Sequence, residues 1–261
     1  MSSVELEWRD GGHIALLTLN RPQVLNALNT DMARELGEHL EMLEARSDLR
    51  CAVLTGAGDR AFCSGADLHE RGRMNAAQWL DQHQVLERAM RGIRRLRAPI
   101  FSAVNGVALG GGCELAMQTD FILAAQSALF GQPEVRRGII PGAGGTQNLL
   151  RRIPVGSALR MLLSGDPIDA AEALRMGLVA SIHPAHELLP AALEVARRIG
   201  RNSPFAIRQV KQAIRLGGAV PSEIAYDAEL EAYRRTIGHP DQIEGVRAFN
   251  EKREPRFQDP G

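Results

Sequence analysis

Two segments of this chain, "CAVLTGAGDRAFCSGADL" (51–68) and "IFSAVNGVALGGGCELAM" (100–117), follow one plan: an apolar run of strand length, a glycine-rich turn, then the start of a helix. A chain that repeats strand, turn and helix in this way is restricted to α/β architectures in which the strands are buried and the turns lie at equivalent ends. Turns of one kind present their backbone groups to one place. The rest of the chain extends the pattern. "HIALLTL" (13–19) reads as a β-run that stops at Asn20-Arg21-Pro22, and "DFILAA", "SALFG" and "LVASIH" read as further strands. Helices are expected from a cap at Thr30 or Asp31 to about Arg46, with Met32, Leu36, Leu40 and Leu43 on one face, and from about Asn75 to Leu96, before Pro99. Shorter helices are expected at Thr146–Arg152, Gly156–Leu163 and Ala170–Met176. Helical patterns then take over: Leu188–Arg201, Pro204–Leu216, Pro221–Arg235 and one starting near Asp241. The expected organisation is an α/β core over residues 1–195 and a helical region over 196–261.

Bulk composition excludes several function classes. Of 261 residues, 31 are Lys or Arg and 31 are Asp or Glu, so the net charge of zero offers no general attraction for nucleic acid or an anionic membrane. No apolar run is long enough to span a bilayer, and the N-terminal residues pass straight into a strand pattern without the features of a signal peptide. The three cysteines, Cys51, Cys63 and Cys113, form no CxxC and cannot all pair. They suggest a reducing compartment, so a cytoplasmic location is expected, and no metal-ligand spacing is present.

Three glycine motifs invite a ligand. Gly56-Ala57-Gly58-Asp59-Arg60-Ala61 matches GxGxxA, but the dinucleotide motif requires a helix at once and "AFCSG" stands there instead. "PGAGGT" (141–146) lacks the lysine of a phosphate-binding loop and reads as a tight turn feeding a helix. Gly110-Gly111-Gly112 is more informative. The helix-prone "CELAMQ" comes next, so free N–H groups and the positive end of a helix dipole lie there. "SGADL" has the same character, with the Ala66 amide unobstructed. Two such amides converging form an oxyanion hole. Glu114, among Cys113, Leu115, Ala116 and Met117, is a carboxylate in an apolar segment, and Glu134 comes directly after Pro133, beyond another strand. Two carboxylates in a shared environment can divide into an acid and a base.

The stretches "LNRPQVLNALN", "AFCSGADL", "NGVALGGGCELAMQTDFILA", "FGQPEVRRGIIPGAGGTQ" and "EGVRAFNEKREPRF", which cover nearly the whole chain in order, resemble the crotonase superfamily, the enoyl-CoA hydratase/isomerase family. The resemblance implies a spiral of ββα units with a helical C-terminal trimerisation region, and a homotrimer or dimer of trimers. It implies an oxyanion hole from the backbone N–H groups of Ala66 and Gly111, catalytic Glu114 and Glu134, and contacts to the CoA part of an acyl-CoA thioester from Val24, Leu25, Ala27, Ala66, Asp67, Leu68, His69 and Gly111. Phe249 and Lys252 would reach the CoA of a neighbouring subunit. CoA is part of the substrate, so no separate cofactor is implied, and no metal.

Isomerases of the family keep a carboxylate near Glu134 and lose the one at Glu114; both are present here, so hydration of a 2-enoyl-CoA is expected over isomerisation. "GADLHERGRMN" is similar to the methylglutaconyl-CoA hydratase branch, whose substrate carries a distal carboxylate; Arg71 and Arg73 could reach it but read as solvated surface charges. The acyl pocket is expected to draw on residues 71–90. A non-catalytic acyl-CoA-binding or RNA-binding protein is disfavoured: the carboxylates are intact, and "TDMARELGEHLEMLEARSDL" lacks clustered cations. Arg88, Arg91, Arg94, Arg95 and Arg97 read as an exposed helix face, or a lip near CoA phosphates.

Overall fold

The computed structural model describes residues 2–218 and 220–258. Strands β1 (Val4–Arg9) and β2 (Ile14–Leu19) form an antiparallel hairpin, and helix α1 (Thr30–Ala45) is next in the chain. Three turns of a spiral come after it. The first is β3 (Cys51–Gly56), β4 (Ala61–Cys63) and the short helix α2 (Leu68–Arg71), with the long α3 (Ala76–Arg95) behind it. The second is β5 (Ile100–Val104), β6 (Val107–Leu109) and α4 (Gly111–Gln118). The third is β7 (Ile122–Ala125), β8 (Leu129–Gly131) and a 3-10 turn, Pro133–Arg137. In each turn the first strand joins a six-stranded sheet that ends on β10 (Ser181–His183) and is ordered β1-β2-β3-β5-β7-β10, and the second joins a four-stranded sheet that ends on β9 (Ile168–Asp169) and is ordered β4-β6-β8-β9. The remaining elements are α5 (Gly145–Arg152), α6 (Val155–Ser164), β9 (Ile168–Asp169), α7 (Ala170–Met176), β10 (Ser181–His183), α8 (Ala185–Gly200), α9 (Pro204–Gly217), α10 (Ser222–Thr236) and α11 (Pro240–Asn250).

The central runs β2, β3, β5 and β7 are almost wholly apolar because both faces of the large sheet are covered there. Ala15, Leu17, Ala52 and Leu54 face the core shared with α1 and α3, while Ile14, Leu16, Cys51 and Val53 face α8, whose Leu188, Ala192 and Ala196 form a stripe at helical spacing. Each buried leucine contributes about 1.5–3 kcal/mol, so this two-faced burial locks the sheet whose strand ends carry the turns.

Several boundaries differ from expectation for local reasons. Asn29, not Thr30 or Asp31, caps α1, its side chain accepting from the Met32 N–H. Asn75 lies outside α3 as its cap, in a reciprocal capping box with Gln78. Sequence reading missed β1, where Val4, Leu6 and Trp8 alternate with Glu5, Glu7 and Arg9 as befits an edge strand. It also missed β4 and β6, whose three residues are too few to carry a period. Helix α8 runs unbroken through residue 195 and packs on the sheet, so the outlying helices begin with α9. Among the described residues no helix is long and apolar enough to cross a membrane.

Candidate active site

The small sheet is parallel through β4, β6 and β8, with Ala61 opposite Val107 and Leu109 opposite Gly131. Its register aligns the segments that leave the strand ends: Ala66 after β4, Gly111 and Glu114 after β6, and Glu134 after β8. All four residues line one cavity of about 720 Å³. The glycines make this convergence possible. Gly110 has φ +52°, a conformation that L side chains rarely adopt, and a Cβ there would stand 3.0 Å from Glu134 Oε1. A Cβ on Gly112 would lie 2.0 Å from the Cys63 carbonyl oxygen, so only glycine lets α4 pack this closely on β4. Asn26, fully buried, pins the loop behind the first turn: its Nδ2 donates to the carbonyls of Ala61 (2.8 Å) and Ala57 (3.0 Å), and its Oδ1 accepts from Arg21 N (2.9 Å). That loop then bridges Leu28 to Ala66 through Leu28 N to Gly65 O, 2.8 Å.

Among the described residues, neither Ala66 N nor Gly111 N donates to a backbone carbonyl or a side chain, although their neighbours do: Gly110 N to Gly131 O (2.9 Å), Asp67 N to Leu28 O (2.9 Å). The two open amides adjoin, since the Cβ direction of Gly111 passes within 3.6 Å of Ala66 N. They form a pair of donors at the cavity wall, Gly111 at the N-terminus of α4.

Glu114 is 3% exposed. Its Oε1 accepts from the backbone N–H groups of Ala143 and Gly145, each at 2.7 Å. The "PGAGGT" segment, expected to be only a turn feeding a helix, is thus a clamp that fixes one carboxylate oxygen at the N-terminus of α5. Burial pushes the Glu114 pKa up, opposed by the two amides and by the positive charge of Arg71. Glu134 sits on the 3-10 turn, 8% exposed. Burial, and secondarily the negative charge of Glu114, pushes its pKa up to about 7 against its own backbone N–H and Arg137. Gln132, fully buried, lies with its amide nitrogen 3.1 Å from both Glu134 oxygens in the orientation that pairs donor with acceptor. The site therefore holds one carboxylate with a clamped oxygen and one that keeps its proton near neutrality. Burial pushes the neighbouring Cys63 and Cys113 thiols up to about 12, leaving them inert.

The other expected binding residues distribute around this centre. Leu68 lines the cavity. Asp67 and His69 line a neighbouring groove of about 510 Å³ with Arg21, Asn29 and Arg73. The Asp67 carboxylate is engaged within the protein, capping α2 through the His69 and Glu70 N–H groups and pairing with Arg21 at 2.9 Å. Val24, Leu25 and Ala27 lie on the loop that pairs with the first turn, Ser64 N donating to Leu25 O at 3.0 Å, and line neither space. Phe249 and Lys252 line neither as well; Phe249, in the last turn of α11, is 82% exposed. The far wall comes from Arg71, Trp79, Leu80, His83 and Leu86, within the segment expected to form the acyl pocket. Arg71 corrects its expected surface placement: it is buried, because α3 folds over α2. The clamp amides and Gln132 escaped sequence reading, whereas Arg71 was named there but placed at the surface. The glycines before a helix in "PGAGGT" were the available signal for the clamp; nothing local marks Gln132. The arginines of α3 do lie outside the cavity, Arg91 paired with Glu87, and Arg88, Arg91 and Arg95 lining a groove shared with α1.

Comparison with known proteins shows the family. The enoyl-CoA hydratase/isomerase family model matches residues 9–260. A short-chain-enoyl-CoA hydratase of Clostridium acetobutylicum is 40% identical over 242 residues, 93% of each chain. A crotonyl-CoA hydratase of Syntrophomonas wolfei is 39% identical over 244 residues, 94% of each. The crystal structure of an enoyl-CoA hydratase from Bacillus anthracis superposes with a TM-score of 0.96 at 39% identity, covering 98% of this chain and 99% of that one. Two open amides and two carboxylates at the matched turns of a ββα spiral, together with likeness over nearly the whole length, place this chain in the enoyl-CoA hydratase/isomerase family.

Proposed function

We propose that this protein is an enoyl-CoA hydratase that adds water reversibly across the C2=C3 bond of a 2-enoyl-CoA thioester. The convergence of the Ala66 and Gly111 amides with Glu114 and Glu134 on one cavity carries this reading. The conjugated thioester is electrophilic at C3 only if its carbonyl oxygen can take up charge. The two N–H groups receive that oxygen and stabilise the enolate-like state, each donor being worth about 3–4 kcal/mol of barrier. Glu114, one oxygen clamped, uses the other to hold water against C3 and accept its proton. Glu134 delivers a proton to C2, and its pKa near 7 suits a group that must be protonated at neutral pH. In dehydration the roles reverse. A carboxylate at Glu114 favours hydration over double-bond isomerisation, which needs only one proton carrier.

The substrate includes its own CoA, bound across the first turn by residues 66–69 and the 24–27 loop. The outlying helices expose Ile214, Ile224, Tyr226, Tyr233, Ile243 and Phe249, an apolar surface suited to a homotrimer or dimer of trimers in which Phe249 and Lys252 meet a neighbour's CoA. Three free, buried cysteines fit a cytoplasmic protein. Hydration of crotonyl-CoA by the purified protein, monitored as loss of the enoyl-thioester absorbance, tests the reading. Glu114→Gln and Glu134→Gln are each expected to lower the rate by at least about 100-fold; near-normal hydration by either variant refutes the two-carboxylate mechanism.

A further inference from the structure

Helix α4 carries a buried polar side chain besides Glu114. Gln118 lies one turn further on, at i+4, so the two share a helix face. It is 8% exposed, in a helix whose Cys113, Leu115, Ala116 and Met117 are all buried. Its Nε2 donates to the carbonyl oxygen of Ala143. The N–H groups of that same residue and of Gly145 hold Glu114 Oε1. Residues 143–145 are therefore fastened to α4 at two levels, by acceptance at Glu114 and by donation from Gln118. Gly144 threads between two side-chain amides: its φ is +103°, and a Cβ there would stand 3.0 Å from Gln118 Nε2 and 3.0 Å from Asn148 Nδ2 on α5. Two residues earlier, Gly142 abuts His83 of α3, whose Cε1 would stand 2.8 Å from a Cβ.

Among the described residues, Gln118 Oε1 is buried with no hydrogen-bond partner, and so is Asn148 Nδ2. An unpaired buried amide oxygen is unfavourable, and an apolar side chain of like length avoids it. Packing alone therefore does not explain a glutamine here; its bond to Ala143 does. The 138–145 loop needs such a fastening. It lines the cavity through Gly138, Ile139, Ile140, Gly142 and Ala143, with Ile140 72% exposed. Glycines at positive φ stand toward both ends, Gly138 (+70°) and Gly144 (+103°). Glu114 draws both donors from the far end of this loop, so slack in the loop reaches the carboxylate. We infer that Gln118 is a positioning residue for hydration: by anchoring residue 143 to α4 it keeps Glu114 Oε1 in its clamp and the other oxygen aimed at the water that attacks C3. This role rests on the hydratase reading and is exerted through Glu114, since Gln118 does not line the cavity.

The test compares crotonyl-CoA hydration by the wild-type oligomer, Gln118→Met and Asn148→Ala. Gln118→Met keeps length and charge while removing the donor. It relieves the unpaired Oε1 and strands the Ala143 carbonyl, so its urea midpoint should stay near wild type. Its kcat should fall about tenfold at little-changed KM, the pattern of a misaligned catalytic group. The two amides hold the Glu114 pKa down, so a looser clamp should also move the acid limb of the pH–rate profile up by about half a unit or more. The titratable and charged groups around Glu114 are Arg71 on α2, His83 on α3, Glu134 and Arg137 on the 3-10 turn, and the neighbouring Cys113; the variant leaves all of them in place and adds no charge. On a Glu114→Gln background, Gln118→Met should lower the rate by less than about twofold, because the carboxylate it positions is gone. Asn148→Ala borders the same glycine without a clamp bond and should leave the profile where it is. An unchanged kcat and acid limb in Gln118→Met overturns the inference, as does an equal loss with and without Glu114, or an equal shift in Asn148→Ala. A measurement on wild type alone guards against a misfolded variant: the Ala143 and Gly145 amides should exchange hydrogen as slowly as those of α4, and exchange at the rate of exposed loops also overturns the inference. If wild type hydrates crotonyl-CoA and Gln118→Met matches it, the positioning role alone fails. If wild type does not hydrate crotonyl-CoA, the hydratase reading fails and takes the inference with it.

Discussion

Replacing Glu134 by Gln should make the protein more stable and far less active, with the gain in stability set by pH. The carboxyl is 8% exposed and its pKa rises from 4.5 to about 7 on folding, chiefly through burial. Below about pH 4.5 the group is protonated in both folded and unfolded chains, and the shift has no effect. Between 4.5 and 7 the unfolded chain releases the proton first, so stability falls as pH rises, and above 7 the whole difference is lost. The shift corresponds to about 3 kcal/mol at about pH 8 and about 1 kcal/mol at about pH 5. Glutamine keeps the shape and the neutral charge, has nothing to ionise, and still meets the Gln132 amide. Glu134→Gln should therefore exceed wild type in unfolding free energy by a margin that widens by about 2 kcal/mol from about pH 5 to about pH 8. Urea denaturation monitored by fluorescence of Trp8 and Trp79, at one fixed protein concentration because an oligomer is expected, measures that margin. A margin that stays flat or shrinks with pH would show that Glu134 is not held as a desolvated acid, and with it would fall the reason for casting Glu134 as the proton donor.

The same geometry sets three further outcomes. The kcat/KM for hydration should decline above about pH 7, where Glu134 loses its proton, and the acid limb should lie above the ordinary carboxylate range because burial raises Glu114 too; a pH–rate profile flat through the neutral range contradicts both. Glu114→Gln keeps an acceptor for the Ala143 and Gly145 amides and should lose rate while unfolding near the wild-type urea midpoint, whereas Glu114→Ala orphans both donors and should lose about 2 kcal/mol or more in addition; equal midpoints for the two variants would deny the clamp. Gly112→Ala places a methyl 2.0 Å from the Cys63 carbonyl and should destabilise by about 3 kcal/mol or more, while Gly156→Ala, with nothing within 4 Å, should be neutral or slightly stabilising, as thermal melts of the two would show.

Legible and hidden features of the chain divide along a physical line. The strand–glycine–helix plan was visible twice, at 51–68 and 100–117, and the same plan recurs a third time at 120–137, where Pro133 and a 3-10 turn replace the helix and disguise it. Apolar runs marked the strands of the large sheet because burial on both faces writes a continuous signal, whereas β4 and β6, three residues each, were hidden although they hold the site.

Sequence alone determined which chemical groups exist and their local consequences: the open amide at a glycine-led helix start, one carboxylate, Glu114, in an apolar segment and a second, Glu134, beyond a strand, and likeness to a family over nearly the whole chain. Only the tertiary structure decided how those groups meet. The parallel register of β4, β6 and β8 brings Ala66, Gly111 and Glu134 to one wall. The loop at 141–145 reaches back to clamp Glu114 across 29 residues of chain. Burial turns Glu134 from an ordinary carboxylate into an acid near pH 7. Arg71, expected at the surface, is covered by α3 and lines the cavity. The reason is common to all four. Register, desolvation and long-range hydrogen bonds belong to pairs of distant segments, and no local window of residues contains both members of such a pair.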